Sequence, residues 1–236
     1  MSITLFKRIT ANMKRRYPME KPAEFYWANR LEEVKAALTK NNFNAYIAKD
    51  AAKAKEMVEN EIIPEIKPKS IAWGGSMTFL ASGIYDALKG SREYEILDTY
   101  DRRRFTQEEV AERRRQALLT DLFITGTNAI TERGHLVNLD MIGNRVGAIT
   151  YGPKNVIILA GRNKIVSDLE EAMHRIKNYA APVNAMRLDM KTPCVKSGRC
   201  AECRSPARIC NTWTITEKSF PKGRIRVVLI NQEMGI

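Results

Sequence analysis

No apolar run in this sequence approaches the roughly 20 residues needed to cross a bilayer. The longest, Val156-Ile-Ile-Leu-Ala160, is the length of a buried strand, so a membrane span is not expected. Met1 to Arg16 mixes basic and apolar residues, but it lacks the long apolar core and small-residue cleavage site of a secretory signal. Internal repeats and low-complexity segments are also missing, which sets aside repeat arrays and disordered tracts. Cysteine is scarce, at four residues in 236. Without a secretory signal these four read as reduced thiols or metal ligands rather than disulfides. The expected location is the cytoplasm.

What is present is ordinary globular material. Apolar residues make up 44% of the chain, too many for a disordered protein. The length suits one large domain with a small appendage. We divide it into an N-terminal extension over 1–23 and an α/β domain over 24–236, which includes a Cys-rich segment at 193–211.

A net charge of +12 raises the question of nucleic acid. The basic residues are scattered except for Arg102-Arg103-Arg104 and Arg113-Arg114-Arg115. Tyr100 and Phe105 flank the first triplet, thin support for a base-stacking platform. The second lies among Glu108, Glu109 and Glu112, where a helix pairs Glu109 with Arg113 and Glu112 with Arg115. A solvated helix face is favoured over a nucleic-acid groove. An acidic substrate or a protein partner for Arg102 to Arg104 is the third reading.

Along the chain, helical spacing covers Glu24 to Lys40, and Asn44 to Ala48 reads as a strand. Asp50 caps a helix from Ala51 to about Ile63, stopped by Pro64. Ser70 to Trp73 is a strand running into Gly74-Gly75-Ser76, followed by a helix over Met77 to Leu88. Glu95 to Leu97 is a strand. Thr106 to Leu119 is a helix with Thr106 as N-cap and Glu108 and Glu109 in its first turn. Asp121 to Thr125 is a strand ending at Gly126. Val146 to Thr150 and Val156 to Ala160 read as strands, and Ser167 caps a helix to Tyr179 with Glu170 in the capping-box position. Arg226 to Ile230 is a late strand returning to the sheet. Strands alternating with helices predict a mostly parallel sheet covered on both faces.

In such sheets ligands sit outside the carboxyl ends of the strands. Gly74, Gly75 and Ser76 join a strand to a helix, where outward-facing N–H groups and a helix start suit a phosphate or carboxylate. The same residues also make an ordinary tight turn. A second stretch, Gly126 to Arg145, crowds Thr127, Asn128, Asn138, Asp140, Asn144 and Arg145 near a strand end with loop glycines, which favours a site for a small anionic ligand. His135 lies in the same stretch, either as a proton carrier or as a plain side chain. No role is assigned to His174.

The run ITGTNAITERGHLVNLDMIGNRVGAITYGPKNVIILAGRNKIV, with WGGSMTF upstream, resembles the lactate-utilisation (LUD) domain family, from about Glu24 to the C-terminus. The resemblance implies the Rossmann-like fold shared with ribose-5-phosphate isomerase and class I CoA transferases. It also implies a place in operons for oxidising L-lactate to pyruvate, beside iron–sulfur partner proteins. CoA transferases of this fold use a glutamate in a Glu-x-Gly setting as nucleophile, and Glu132-Arg133-Gly134 has that form. The match is two residues, no CoA-binding motif accompanies it, and a charged or hydrogen-bonding loop residue is the alternative.

All four cysteines fall within seventeen residues, as Cys194-x5-Cys200-x2-Cys203-x6-Cys210. The Cys200-x2-Cys203 spacing chelates metals, and Cys194 and Cys210 can complete a four-thiolate set for zinc or an iron–sulfur cluster. Four reduced thiols are the plain alternative. Zinc ribbons usually show two Cys-x2-Cys pairs. The irregular spacing, with the redox setting the resemblance implies, favours a 4Fe–4S cluster over zinc. Lys196, Arg199, Arg204 and Arg208 would offset the charge of a thiolate cluster.

The expected function is thus a subunit or accessory of an iron–sulfur system for hydroxy-acid oxidation. The alternatives are a stand-alone enzyme on a sugar-phosphate or acyl-CoA substrate, and a non-catalytic ligand-binding or regulatory protein.

Overall fold

The computed structural model describes residues 21–101 and 104–236. The elements run α1 (Pro22–Lys40), β1 (Asn44–Ala48), α2 (Ala51–Met57), α3 (Ile63–Ile66), β2 (Ser70–Trp73), α4 (Met77–Ala81), α5 (Ile84–Leu88) and β3 (Glu95–Leu97). After these come α6 (Gln107–Gln116), β4 (Leu122–Gly126), β5 (Ala129–Thr131), β6 (Leu136–Asp140), α7 (Asn144–Thr150), β7 (Asn155–Gly161) and β8 (Ile165–Val166). The chain closes with α8 (Leu169–Arg175), α9 (Ala181–Arg187), α10 (Pro193–Ser197), β9 (Thr212–Thr216) and β10 (Ile225–Ile230).

Six strands form one sheet in the order β1-β10-β7-β4-β2-β3, with every neighbouring pair parallel. The late strand β10 therefore sits in the interior of the sheet, between β1 and β7. Alternation along β7 explains the layers. Ile157 and Leu159 face one core with Trp73, Phe79 and Ile124, while Val156, Ile158 and Ala160 face another with Leu31, Val34 and Leu38 of α1. Both faces are covered, as a parallel sheet requires.

A second, four-stranded sheet, β8-β5-β6-β9, was not foreseen, because its strands are short and interrupted by polar residues. The hairpin β5-β6 is antiparallel, and β9 adds to its edge. Ala129, Val137, Leu139 and Val166 bury against Ala172 and Ile176 of the helical stretch beginning at α8.

Four expectations about the elements need correction. The helix expected over Met77 to Leu88 is two, α4 and α5, because Gly83 turns the chain between them at φ 74°. Val146 to Thr150, rich in β-favouring residues, belongs to helix α7. Gly143 turns the chain at φ 85°, and the Asp140 carboxylate accepts from the Val146 N–H at 3.3 Å, so the segment starts as a helix. The cap of α8 is Asp168 rather than Ser167. Its side chain accepts from Glu171 N at 2.9 Å, while Ser167 N donates to the Glu171 carboxylate at 2.6 Å. Pro64 does not stop its helix, because a π turn over Val58–Ile62 absorbs the missing donor and α3 continues beyond it. Thr106, by contrast, caps α6 in a complete capping box with Glu109.

The four cysteines lie between α9 and β9, in a segment where α10 is the only regular element. No helix among the described residues is long and apolar enough to cross a membrane.

Candidate functional site

Strands β2, β4 and β7 end side by side, and the two glycine-rich stretches meet there. Gly126 closes the approach. A Cβ at this position would stand 2.6 Å from Ser76 Oγ and 3.2 Å from the Leu159 carbonyl, so only glycine lets the ends of β2, β4 and β7 come together. Ser76 caps α4 by accepting from Phe79 N at 3.1 Å. Its own N–H donates to Tyr100 Oη at 3.1 Å, and that hydroxyl donates to the Gly74 carbonyl at 2.6 Å. Burial pushes the Tyr100 phenol up to about 12, so it stays neutral and pins the loop.

Arg145 fastens the second sheet to this edge. One terminal nitrogen donates to Asn138 Oδ1 at 2.6 Å and to the Gly126 carbonyl at 3.1 Å; the other donates to Asn128 Oδ1 at 3.0 Å. Asp140 stands 3.8 Å from its Nε. A buried charge held by this many acceptors is a structural hub, since desolvation without them would cost several kcal/mol. Asn138 also accepts from Thr127 Oγ1 and from Asn128 N, both at 3.2 Å.

Between the strand ends and the second sheet lies a cavity of about 220 Å3. Gly75, Ser76, Gly126, Thr127, Asn128, Asp140, Asn144 and Arg145 all reach its wall. Gly74 and Asn138 stand behind it. Gly74 is wedged against Phe123 and Arg145, and Asn138 is fully buried on the Arg145 hub.

Sequence reasoning missed the most unusual group in this wall. Lys164, just past the end of β7, is 4% exposed and lines the same cavity. Its Nζ donates to Thr78 Oγ1 at 2.9 Å, and Thr78 donates onward to the Met234 carbonyl at 3.3 Å. No carboxylate side chain among the described residues pairs with it. Burial, with the like charges of Arg175 and Arg145 behind it, lowers its ammonium to about 7. The signal was available: β7 is a third strand end at the same edge, and Gly161-Arg-Asn-Lys164 follows it directly.

Glu132 lies elsewhere. It sits in the turn of the β5-β6 hairpin, 41% exposed at its side chain, and pairs with Arg30 of α1 at 2.9 Å. Gly134 has φ 76°, and a Cβ there would fall 2.7 Å from the Leu38 backbone nitrogen, so the Glu-x-Gly pattern has a packing cause. His135 Nδ1 is buried without a hydrogen-bond partner, and His135 is not among the residues lining the cavity.

Of the basic triplets, Arg102 and Arg103 lie outside the described residues. Arg113 is not paired with Glu109. It donates to the Asp98 carbonyl at 3.0 Å and stacks over Phe105. Arg115 pairs with Glu112 at 3.4 Å as expected, while Arg114 lines the cavity.

All four cysteines are half-buried around a second, small cavity of about 20 Å3 beneath α9. Arg208 bridges the segment, donating to the Cys210 and Cys203 carbonyls at 2.9 and 3.0 Å. Thr192 Oγ1 and Cys194 Sγ are 3.2 Å apart. The thiols are soft donors suited to zinc or iron. Yet among the described residues no three His, Cys, Asp or Glu side chains are gathered closely enough to hold a metal ion. Ile209 lines both this cavity and the larger one.

The profile of the LUD domain family matches residues 31–230. The chain belongs to the LUD domain family. Among solved structures it is similar to a DUF162 family protein from Deinococcus radiodurans, at 13% identity and a TM-score of 0.47, covering 87% of this chain and 98% of that one. No curated protein matches the sequence.

Proposed function

We propose that this LUD-domain chain binds a small carboxylate metabolite in the strand-end cavity, as the ligand-binding component of an iron–sulfur system for lactate or related hydroxy-acid utilisation. One observation carries the binding site: Lys164 is a buried cation with no carboxylate partner among the described residues, near the like charges of Arg175 and Arg145, on the wall of the strand-end cavity. Such a group is satisfied by an anion supplied from outside. The cavity suits a few-carbon acid better than a nucleotide-sized ligand, and Asn128, Asn144 and Thr127 offer hydrogen bonds to its oxygens. A ligand panel on the purified chain tests this. L-Lactate and pyruvate should raise the melting temperature, by the equivalent of about 2.7 kcal/mol at a hundred times Kd. Shifts confined to sugar phosphates or acyl-CoA would instead favour a stand-alone enzyme, a reading that Glu132, paired with Arg30 and not part of the cavity wall, does not support.

The cysteines form the second part of the proposal. Cys194, Cys200, Cys203 and Cys210 would hold a 4Fe–4S cluster, which supplies one-electron transfer when bound. Their arrangement around one cavity, with Arg208 to offset thiolate charge, supports this, and the 193–211 segment would have to tighten for the sulfurs to converge. The shared wall at Ile209 would put such a cluster next to the bound acid. Iron–sulfur proteins are the fitting partners. Anaerobic purification should give brown protein with iron and sulfide bound and lost in a Cys200→Ser, Cys203→Ser variant. Colourless protein with stoichiometric zinc would contradict it.

A further inference from the structure

Lys164 also has the surroundings of a nucleophile. The amine is buried, with the hydroxyl of Thr78 at 2.9 Å and the backbone of Met234-Gly235 packed against it. The charges that act on it are Arg175 from α8 and Arg145 from α7, and both disfavour its ammonium form; Asp140, on the same cavity wall, faces Arg145. Arg175 is itself fixed by the Asn163 and Asn128 carbonyls at 3.1 and 2.8 Å, so it cannot swing away. Desolvation beside other cations is a general way to keep a lysine amine unprotonated and reactive toward carbonyl carbon. A lysine kept only for packing would not need a cavity in front of it, and a lysine kept only for charge would be placed beside a carboxylate.

We propose that Lys164 condenses with the carbonyl of a small 2-oxo acid in the strand-end cavity, forming an imine. The neutral Nζ lone pair attacks the ketone carbon, a C–N bond forms, and the carbonyl electrons move to oxygen. Two protons from nitrogen end on that oxygen, which leaves as water, so amine plus ketone gives imine plus water with no change in oxidation state. Thr78 orients the attacking nitrogen by accepting one of its hydrogens. The carboxylate of the acid then lies in the positive field of Arg145 and Arg175. This rests on the carboxylate-binding reading of the same cavity.

The test is reductive trapping of the full chain with pyruvate and sodium borohydride, read by intact mass and peptide mapping. The expected result is one reduced pyruvate per chain on the peptide containing Lys164. It should be absent in Lys164→Arg and Lys164→Met and suppressed by excess L-lactate. At neutral pH the buried lysine holds roughly a thousand-fold more neutral amine than an exposed one, so labelling should be selective. Adducts spread over exposed lysines, or none, would overturn the proposal. If pyruvate and L-lactate nevertheless shift the melting temperature, the anion site stands and only the imine fails. If neither shifts it, both readings fall together.

Discussion

At the scale of single residues, the site contrasts two buried cations. Arg145 is spent on protein: its terminal nitrogens are taken by Asn138, Asn128 and the Gly126 carbonyl, and it joins the sheets. Lys164 is not spent, having one neutral partner in Thr78. That difference has a consequence for stability. In the unfolded chain the lysine titrates near 10.5, and in the fold near 7. Below pH 7 both states carry the proton, and the fold bears the full cost of burying the charge. Between about 7 and 10.5 the unfolded state binds more protons, so stability rises with pH through that window. Each unit of separation corresponds to about 1.4 kcal/mol, so the rise should reach a few kcal/mol. Urea midpoints measured across the window should show it, and Lys164→Met should flatten the slope and raise stability at acid pH. An unchanged slope would mean the amine is solvated.

Among the elements, the ends of β2, β4 and β7 build the site, and the glycine at the end of β4 controls their approach. Gly126→Ala would force a methyl against Ser76 Oγ and the Leu159 carbonyl, costing about 1–3 kcal/mol by overpacking. Because the displaced atoms line or support the cavity, ligand binding should weaken by more than the loss of stability alone explains. Chemical denaturation and titration on the same sample separate the two.

This edge of the main sheet was readable in the sequence because short continuous apolar runs ending in glycine state both the strand and its end. Gly74 to Ser76, Gly126 to Asn128 and Arg145 were found that way. Lys164 was missed because its burial depends on Thr78, Arg175 and the Met234-Gly235 backbone, which meet only in three dimensions. The second sheet was hidden for a related reason. Residues 129–140 carry the buried polar groups Thr131 and Asn138, so the pattern imitates a loop. Val146 to Thr150 erred the other way: its β-branched residues outweighed the helix start set by Gly143 and Asp140.

On the scale of the whole molecule, two cavities lie on either side of Ile209, one lined by buried cations and amides, the other by four thiols. Helix α9 runs beside both, with Asn184 and Arg187 on the larger and Ala181, Pro182 and Ala185 on the smaller. Filling one should therefore be felt in the other. Alkylation of the cysteines by a small maleimide should slow when the strand-end cavity is saturated with L-lactate, and Ile209→Ala should weaken that protection. Equal rates with and without ligand would show that the sites are independent.

Calorimetric titration of L-lactate and pyruvate into the wild-type chain and into Lys164→Met, at matched pH, tests the central claim most directly. The account predicts saturable one-to-one binding to the wild type and its loss in the variant, with both proteins equally folded. Binding that survives the loss of Lys164, or none to the wild type, would contradict it.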